Sequence, residues 1–257
     1  MFKIVLDAGH GKNTAGKRCL KALDKNETRE WVLNSRICDL IEKKLKSYSG
    51  YELLRVDDTT GKIDVALKDR VKKANDFGAD VYFSLHHNAH PEDKVGANGG
   101  SGSGILSIVY TNASAKSKEY QKMLYDALIK ETGLKGDRTD PMPKQNLYVL
   151  HHTTMPAVLL ELGFMDGYKD VPIILTDEYA ENCAKAIVSV LVKIGSLTKK
   201  QRFKDIEGHW AEAEIKDLVS MGIVKGRTEN KIVPDDFITR AEAFVLARRI
   251  IKYITGK

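Results

Sequence analysis

The sequence predicts an α/β fold, a mainly parallel twisted sheet flanked by helices, followed by a small α-helical C-terminal domain. Three observations carry this. Short apolar runs alternate with amphipathic stripes as far as residue 194, the pattern of strands joined by helical crossovers. The run at 80–85 is apolar nearly throughout, as a strand covered on both faces must be. From Phe203 onward the strand-like runs give way to helical periodicity. A chain of 257 residues holds one sizeable domain and one small one. We place the first at 1–194, a basic linker at 195–202 and the second domain at 203–257.

The first strand is Phe2-Lys3-Ile4-Val5-Leu6, which runs through Asp7 and Ala8 into the turn Gly9-His10-Gly11. Glycine on both sides of His10 allows a sharp turn and leaves room for something bulky beside the imidazole. Residues 12–26 are polar and read as a surface loop. A helix begins near Arg29, with Leu33, Ile37, Ile41 and Leu45 recurring at fours beside Cys38. Tyr51–Val56 reads as a strand and 57–64 as a loop. A helix follows over 65–77, with Val65, Leu67, Val71 and Ala74 inward. After the strand at 80–85 comes Ala97–Gly104, a glycine- and serine-rich stretch that is either a linker or a mobile wall beside a cleft. Ile105–Tyr110 is a strand, and 114–132 a helix with Tyr120, Met123, Leu124, Ala127 and Leu128 along one side. Tyr148–Leu150 and Ala157–Leu162 read as short strands, and 179–194 as the last helix of this domain.

Composition removes several classes of function. Arg and Lys number 41 against 35 Asp and Glu, a net charge of +6. The excess is diffuse: residues 1–194 carry 28 basic and 26 acidic side chains, and 203–257 carry 10 and 9. No basic face or recognition motif accompanies it, so nucleic acid is a poor partner and a polyanionic surface polymer a better one. The 3 cysteines (Cys19, Cys38 and Cys183) are odd in number and lack metal-type spacing. They read as reduced thiols, with Cys38 and Cys183 packing on helix faces. No run approaches the ~18 apolar residues of a membrane span. The N-terminal apolar run is interrupted by Lys3 and Asp7 and reads as a strand, not a signal peptide. The expected route is therefore synthesis in the cytoplasm without a signal peptide.

In sheets of this type ligands bind beyond the carboxyl ends of the strands. The polar residues there are His10, His86 and Glu161, and Glu30 lies in the first turn of the neighbouring helix. Two histidines and a carboxylate are the ligand set of a catalytic zinc with an open position. A second carboxylate in an apolar frame, as Glu161 is, suits proton transfer. Spacing leaves alternatives open. Glu30 is equally explained by the helix macrodipole, Glu27 competes with it, and His87 and His90 compete with His86.

The strings IVLDAGHG, REWVLN, LKDRVKKAN, YFSLHHNA and PAVLLELGFMD, in this order over residues 2–194, resemble the zinc-dependent N-acetylmuramoyl-L-alanine amidases of the amidase_3 type. The resemblance implies hydrolysis of the amide between the lactyl group of N-acetylmuramic acid and L-alanine of the peptidoglycan stem peptide. It implies zinc (Zn2+) on His10, Glu30 and His86, with Glu161 as the catalytic glutamate. It draws attention to Asn88 of the Ser84–Ala89 string and to Arg70 as substrate-side or supporting residues, with Asn75 beside Arg70. Where many relatives have an arginine this chain has His151, which either meets substrate or lies on the surface.

Residues 203–251 resemble a single S-layer homology motif, with a Phe-x-Asp opening, the His209-Trp210 pair and the string Thr239-Arg240-Ala241-Glu242. Thr239 and Glu242 also form the Ser/Thr-x-x-Glu signature of a helix start. The resemblance implies binding to an anionic secondary polymer of Gram-positive walls, with Trp210 and Arg240 in contact unless Trp210 is core. About 50 residues make little core alone, so this domain is expected either to pack on another copy through self-association or to lean on the first domain. Together these readings suggest a phage or prophage endolysin that reaches the wall through a holin or lysis, or a sporulation-linked autolysin. The competing readings are another zinc hydrolase of the stem peptide and a non-catalytic wall-binding protein.

Overall fold

The computed structural model describes residues 1–91, 95–200, 203–228 and 230–256. It divides into two units, Met1–Thr198 and Lys199–Lys257. Gln201 and Arg202 of the expected linker lie outside the described residues.

The first unit is built on a five-stranded sheet. Its strands are β1 (Phe2–Ala8), β3 (Tyr51–Arg55), β4 (Val81–Asn88), β5 (Ile105–Ile108) and β6 (Ala157–Phe164), in the order β3-β1-β4-β6-β5. The two-residue strands β2 (Tyr48–Ser49) and β7 (Thr198–Lys199) lie outside it. Pairings β1–β3, β1–β4 and β4–β6 are parallel, and β5 runs antiparallel to β6 at one edge. The helices are α1 (Glu30–Leu45), α2 (Leu67–Phe77), α3 (Ala115–Thr132), α4 (Tyr148–His152), α5 (Val171–Ile174) and α6 (Asp177–Ile194).

Side chains alternate across the sheet, and the alternation sorts the core into two layers. Ile4, Leu6, Phe83, Leu85, Val158 and Leu160 join one buried cluster with residues of α1, α3 and α6. Val5, Tyr82 and Leu159 join a second, with Val71 and Ala74 of α2 and Val149 and Leu150 of α4. The stripe Leu33, Ile37, Cys38, Ile41 and Leu45 is buried as its spacing requires, and all three cysteines are free thiols. Among the described residues no helix is long and apolar enough to cross a membrane.

Two expectations need correction, and one stretch open between two readings is described further. Tyr148–Leu150 is not a strand but part of α4, because an apolar run of three residues carries no period that separates strand from helix. Leu67, expected to face inward, is 52% exposed. It is the first residue of α2, where the chain is still arriving from the loop. The Ala97–Gly104 stretch is not a bare linker. Gly100 exchanges backbone bonds with Asp166 and Tyr168, and Gly102 donates to His90 Nε2, while His90 Nδ1 meets Asp166. A Cβ on Gly100 or Gly102 would collide with the His90 ring, so these glycines are there to let the loop lie on the histidine.

The second unit contains a short 3-10 turn at Lys204–Ile206, α7 (Glu212–Ser220) and α8 (Arg240–Thr255). Phe203, Ile206 and Ile223 are buried, and Arg249 of α8 donates to the Ile223 carbonyl. Asp205 accepts from the amides of Ile232 and Val233, which closes the loop before α8. Thr239 accepts from the Glu242 amide and Glu242 returns the bond to the Thr239 amide, so the capping box expected from sequence is formed.

Candidate metal and catalytic site

The end of β1 is a buried anchor. Asp7 accepts from Arg70, from the Tyr82 hydroxyl at 2.6 Å and from Ser84 Oγ at 2.8 Å. Burial alone would raise the Asp7 carboxyl, but the Arg70 charge and the Tyr82 bond outweigh it and hold it below the ordinary range. Arg70, 1% exposed, spends its other donors on the carbonyls of Val65, Ala8 and His10 and on Asp64. Its guanidinium thus braces the turn that carries His10.

That turn is tight. His10 has φ of +67°, the left-handed region that a side chain rarely adopts. A Cβ on Gly9 would lie 2.0 Å from the His86 ring. The bulky neighbour for which the glycines leave room is therefore His86, whose ring meets that of His10 edge-on at 5.0 Å.

Glu30 opens α1, and its carboxylate faces both histidines. Oε1 lies 3.1 Å from His86 Nδ1 and Oε2 lies 3.4 Å from His10 Nε2. One ligand atom from each of His10, Glu30 and His86 lies within 4.8 Å of the others. Glu30 is 1% exposed, and its Oε2 accepts no hydrogen bond, with Lys17 Nζ 3.7 Å away as an ion-pair partner. A buried anionic oxygen without a donor, facing imidazole nitrogens, is the arrangement a divalent cation would complete. Burial works to raise the Glu30 carboxyl, but His86, His10 and Lys17 bring it down to about 2. Burial lowers His10 to about 4 against the pull of Glu30, so His10 is neutral near pH 7, as a ligand must be.

The alternatives separate cleanly. Glu27 pairs with Arg18 in the loop before α1. His87 is buried against Asn34, which also donates to the Gly9 carbonyl. Burial pushes His87 down to about 3, so it stays neutral and structural. The register of β4 on β6 shifts between His86 and Asn88, and such a shift re-aims side chains at a strand end. As consecutive strand residues, His86 and His87 point to opposite faces and meet different side chains, Glu30 and Asn34.

Glu161 is the register partner of His86 across β4 and β6. In a parallel pair, register partners share a face, so both side chains emerge on the side of α2 and α4. Glu161 Oε2 is buried without a partner. Burial raises its carboxyl to about 7, with Glu30 adding to the rise and His86 opposing it. A carboxyl in that range can take a proton and return it near neutral pH.

A cavity of about 480 Å³ opens beside this cluster, lined by His10, His86, Arg70, Leu147, Tyr148 and Leu159 among others. The remaining expected residues lie elsewhere. Asn88 accepts from the Ala89 amide, next to the strand end. His151 does not line this cavity; it stacks on Tyr110 at 4.5 Å on the far side of α4. Trp210 is 87% exposed in the second unit and so is not core; its ring lies beside that of His209. Arg240 is the first residue of α8 and is exposed. Tyr148 was missed from sequence because a residue on a misread strand gives no sign of which cavity it faces.

Residues 4–193 match the N-acetylmuramoyl-L-alanine amidase family Amidase_3, and 202–244 match the S-layer homology domain. An endolysin of Bacillus phage SPP1 is 32% identical over 78% of this chain and 69% of its own length. The N-acetylmuramoyl-L-alanine amidase CwlM of Bacillus licheniformis is 28% identical over 77% of this chain and 71% of its own. The crystal structure of an N-acetylmuramoyl-L-alanine amidase from Clostridium difficile 630 superposes with a TM-score of 0.64 at 26% identity, covering 75% of this chain and 95% of that one. With a family match over residues 4–193 and a largely parallel sheet shared with a solved amidase, the chain belongs to the N-acetylmuramoyl-L-alanine amidase family and carries an S-layer homology domain after the catalytic one.

Proposed function

We propose that the first unit hydrolyses the muramyl–L-alanine amide of peptidoglycan with a zinc ion held by His10, Glu30 and His86, and with Glu161 as the proton carrier. The observation that carries this is the juxtaposition of three ligand atoms within 4.8 Å with a buried carboxyl raised to about 7 on the adjoining strand. Zinc in a His/His/Glu site supplies Lewis acidity towards an amide carbonyl and lowers the pKa of water at its open position to ~7. Glu161 would take a proton from the attacking water and return it to the nitrogen of L-alanine as the amide breaks, so that the amine leaves neutral. Asp7 and Arg70 do no chemistry; they hold the His10 turn at the distance the ligand set needs. Asn88, at the end of β4, is the substrate-side donor on this reading.

The second unit directs the enzyme to an anionic polymer of the Gram-positive wall, with Trp210 and Arg240 in contact. Its exposed apolar helix faces are covered by a second copy. The acidic side of α7, with Glu214 and Asp217, complements the basic side of α8, with Arg248 and Lys252. On this reading the enzyme serves lysis of a host, which its 32% identity to a phage endolysin supports; its 29% identity to a sporulation-specific amidase of Bacillus subtilis supports a role in sporulation nearly as well.

Amine release from purified Gram-positive peptidoglycan tests the reading. Metal-loaded protein should release peptide with a new L-alanine amino terminus, while chelated protein and Glu161→Ala should lose about a thousandfold or more. A different amino terminus would identify a stem-peptide hydrolase instead. Wall binding without release, unchanged in Glu161→Ala, would falsify catalysis altogether.

A further inference from the structure

We propose that Tyr148 is a sugar platform of the cleft, taking the face of the muramyl ring whose lactyl amide is cut; the substrate class rests on the amidase reading above. Tyr148 opens α4, is 40% exposed, and lines the cavity that holds His10 and His86. One face of its ring is occupied by His152, stacked at 4.1 Å with 15° between the planes. His152 is itself tied back through Nδ1 to the Tyr148 carbonyl.

The end of α4 is pinned to α2. Asn75 donates to the His152 carbonyl and accepts from the amide and hydroxyl of Thr154. The tyrosine ring is thus held in place before any ligand arrives, on a residue that lines the reacting cavity and is partly exposed. Preorganisation of this kind lowers the entropy lost on binding.

The chemistry of the ligand decides what such a ring takes. A pyranose presents a face of C–H groups, which the negative face of a phenol ring attracts. The stem peptide begins with a single methyl group between two amides and offers no comparable flat face. Of the two groups flanking the scissile bond, the sugar is the one that fits.

The ring row continues past Tyr148. His151 lies 4.5 Å from His152 and stacks on Tyr110 at 4.5 Å with 8° between planes. Tyr110 and His151 border a second cavity of about 480 Å³ together with Lys116 and Thr154. A glycan strand whose muramyl unit rests on Tyr148 therefore has a further aromatic track beside it for its neighbouring sugar. His151 then belongs to this track and not to the metal cavity.

The test is equilibrium binding to metal-loaded Glu161→Gln protein, so that hydrolysis does not intrude. The probes are N-acetylmuramyl-L-alanyl-D-isoglutamine and the same lactoyl peptide without the sugar. Tyr148→Leu should weaken the muramyl probe fivefold to tenfold, about the effect of one aromatic contact. Tyr148→Phe should stay within twofold of the parent, and the sugarless probe should bind all three alike. His152→Ala, which removes the stack but keeps the tyrosine, should weaken the muramyl probe less than Tyr148→Leu, and it serves if that variant fails to fold. Equal muramyl binding by the parent, Tyr148→Leu and His152→Ala overturns the proposal. So do equal weakening of both probes and the absence of muramyl binding by the parent. If wild-type protein leaves the muramyl probe uncut while the Tyr148 effect persists, the amidase reading fails and the sugar platform stands.

Discussion

Residues 1–198 bury aliphatic clusters on both faces of a five-stranded sheet, whereas in residues 199–257 burial reaches Phe203, Ile206 and Ile223 and neither α7 nor α8 has a buried side chain among the described residues. The second unit instead exposes Trp210, Phe237, Phe244, Val245, Ile251, Tyr253 and Ile254. The first unit also buries charge, in Asp7, Arg70 and Glu30, which only a surrounding core makes tolerable. One sequence therefore holds a part that finishes its own core and a part that does not. Catalysis needs the former, because reacting groups must be held still. Attachment to a repetitive polymer can use the latter, where an unfinished surface is completed by what it meets.

Separating the units should break the comparison most visibly. Residues 1–198 alone should unfold in one cooperative transition and retain turnover on soluble muramyl peptides within about twofold. Residues 199–257 alone should lack a cooperative transition at micromolar concentration, since their buried surface is too small to offset chain entropy. Calorimetry on the two pieces decides this. A sharp transition in the small piece that does not depend on concentration would show that the helices complete a core without a second copy. In the full chain, dilution should lower the sedimentation coefficient, while 1–198 should sediment as a monomer throughout.

The buried pair beneath the His10 turn is the next largest effect. Arg70→Met leaves Asp7 charged and unpaired, and should cost about 3–5 kcal/mol of stability in the first transition. It should weaken metal binding as well, because the turn loses its donor to the His10 carbonyl. The sign with pH follows from Asp7. Its carboxyl is held below the ordinary value of 3.8 by Arg70 and Tyr82 despite burial. The contribution is therefore present above the unfolded value and is lost as pH falls through the lower folded one. The melting gap between wild type and Asp7→Asn should stay constant from pH 7 to about 5 and close on further acidification. A gap that widens towards acid would mean that Asp7 is not the paired carboxylate.

Much of this architecture was legible because period and burial coincide in the first unit. The α1 stripe, the doubly covered β4 and the glycine-flanked His10 each follow from local sequence. The carboxyl ends of the strands single out His10, His86 and Glu161, and the fold sets His10 and His86 beside Glu30 and Glu161 in register with His86. What escaped reading was set by distant partners. Asp7 and Arg70 are 63 residues apart, and His90 and Asp166 are 76 apart. No local pattern reports a contact across such a separation. The α4 helix escaped because five residues show too little of a 3.6-residue period, and with it went the position of Tyr148. In the second unit the Thr239 capping box was legible because it is wholly local.

That locality gives the finest test of the difference between the units. Each contains a helix whose first turn is capped by a threonine hydroxyl: Thr176 accepts from the Tyr179 amide at the start of α6, and Thr239 from the Glu242 amide at the start of α8. The local chemistry is the same, so any difference in effect must come from what the helix is packed into. Thr176→Ala should lower the stability of the first transition by about 1 kcal/mol. Nine side chains of α6 are buried, from Tyr179 to Leu191, so fraying of its first turn is felt by the whole core. Thr239→Ala should leave that transition where it is, since α8 has no buried side chain through which to report. Its effect should appear instead as faster amide hydrogen exchange over the first turn of α8. An equal drop in the first transition from both substitutions would mean that the two units unfold as one, and that the unfinished surface of the second is finished within this chain.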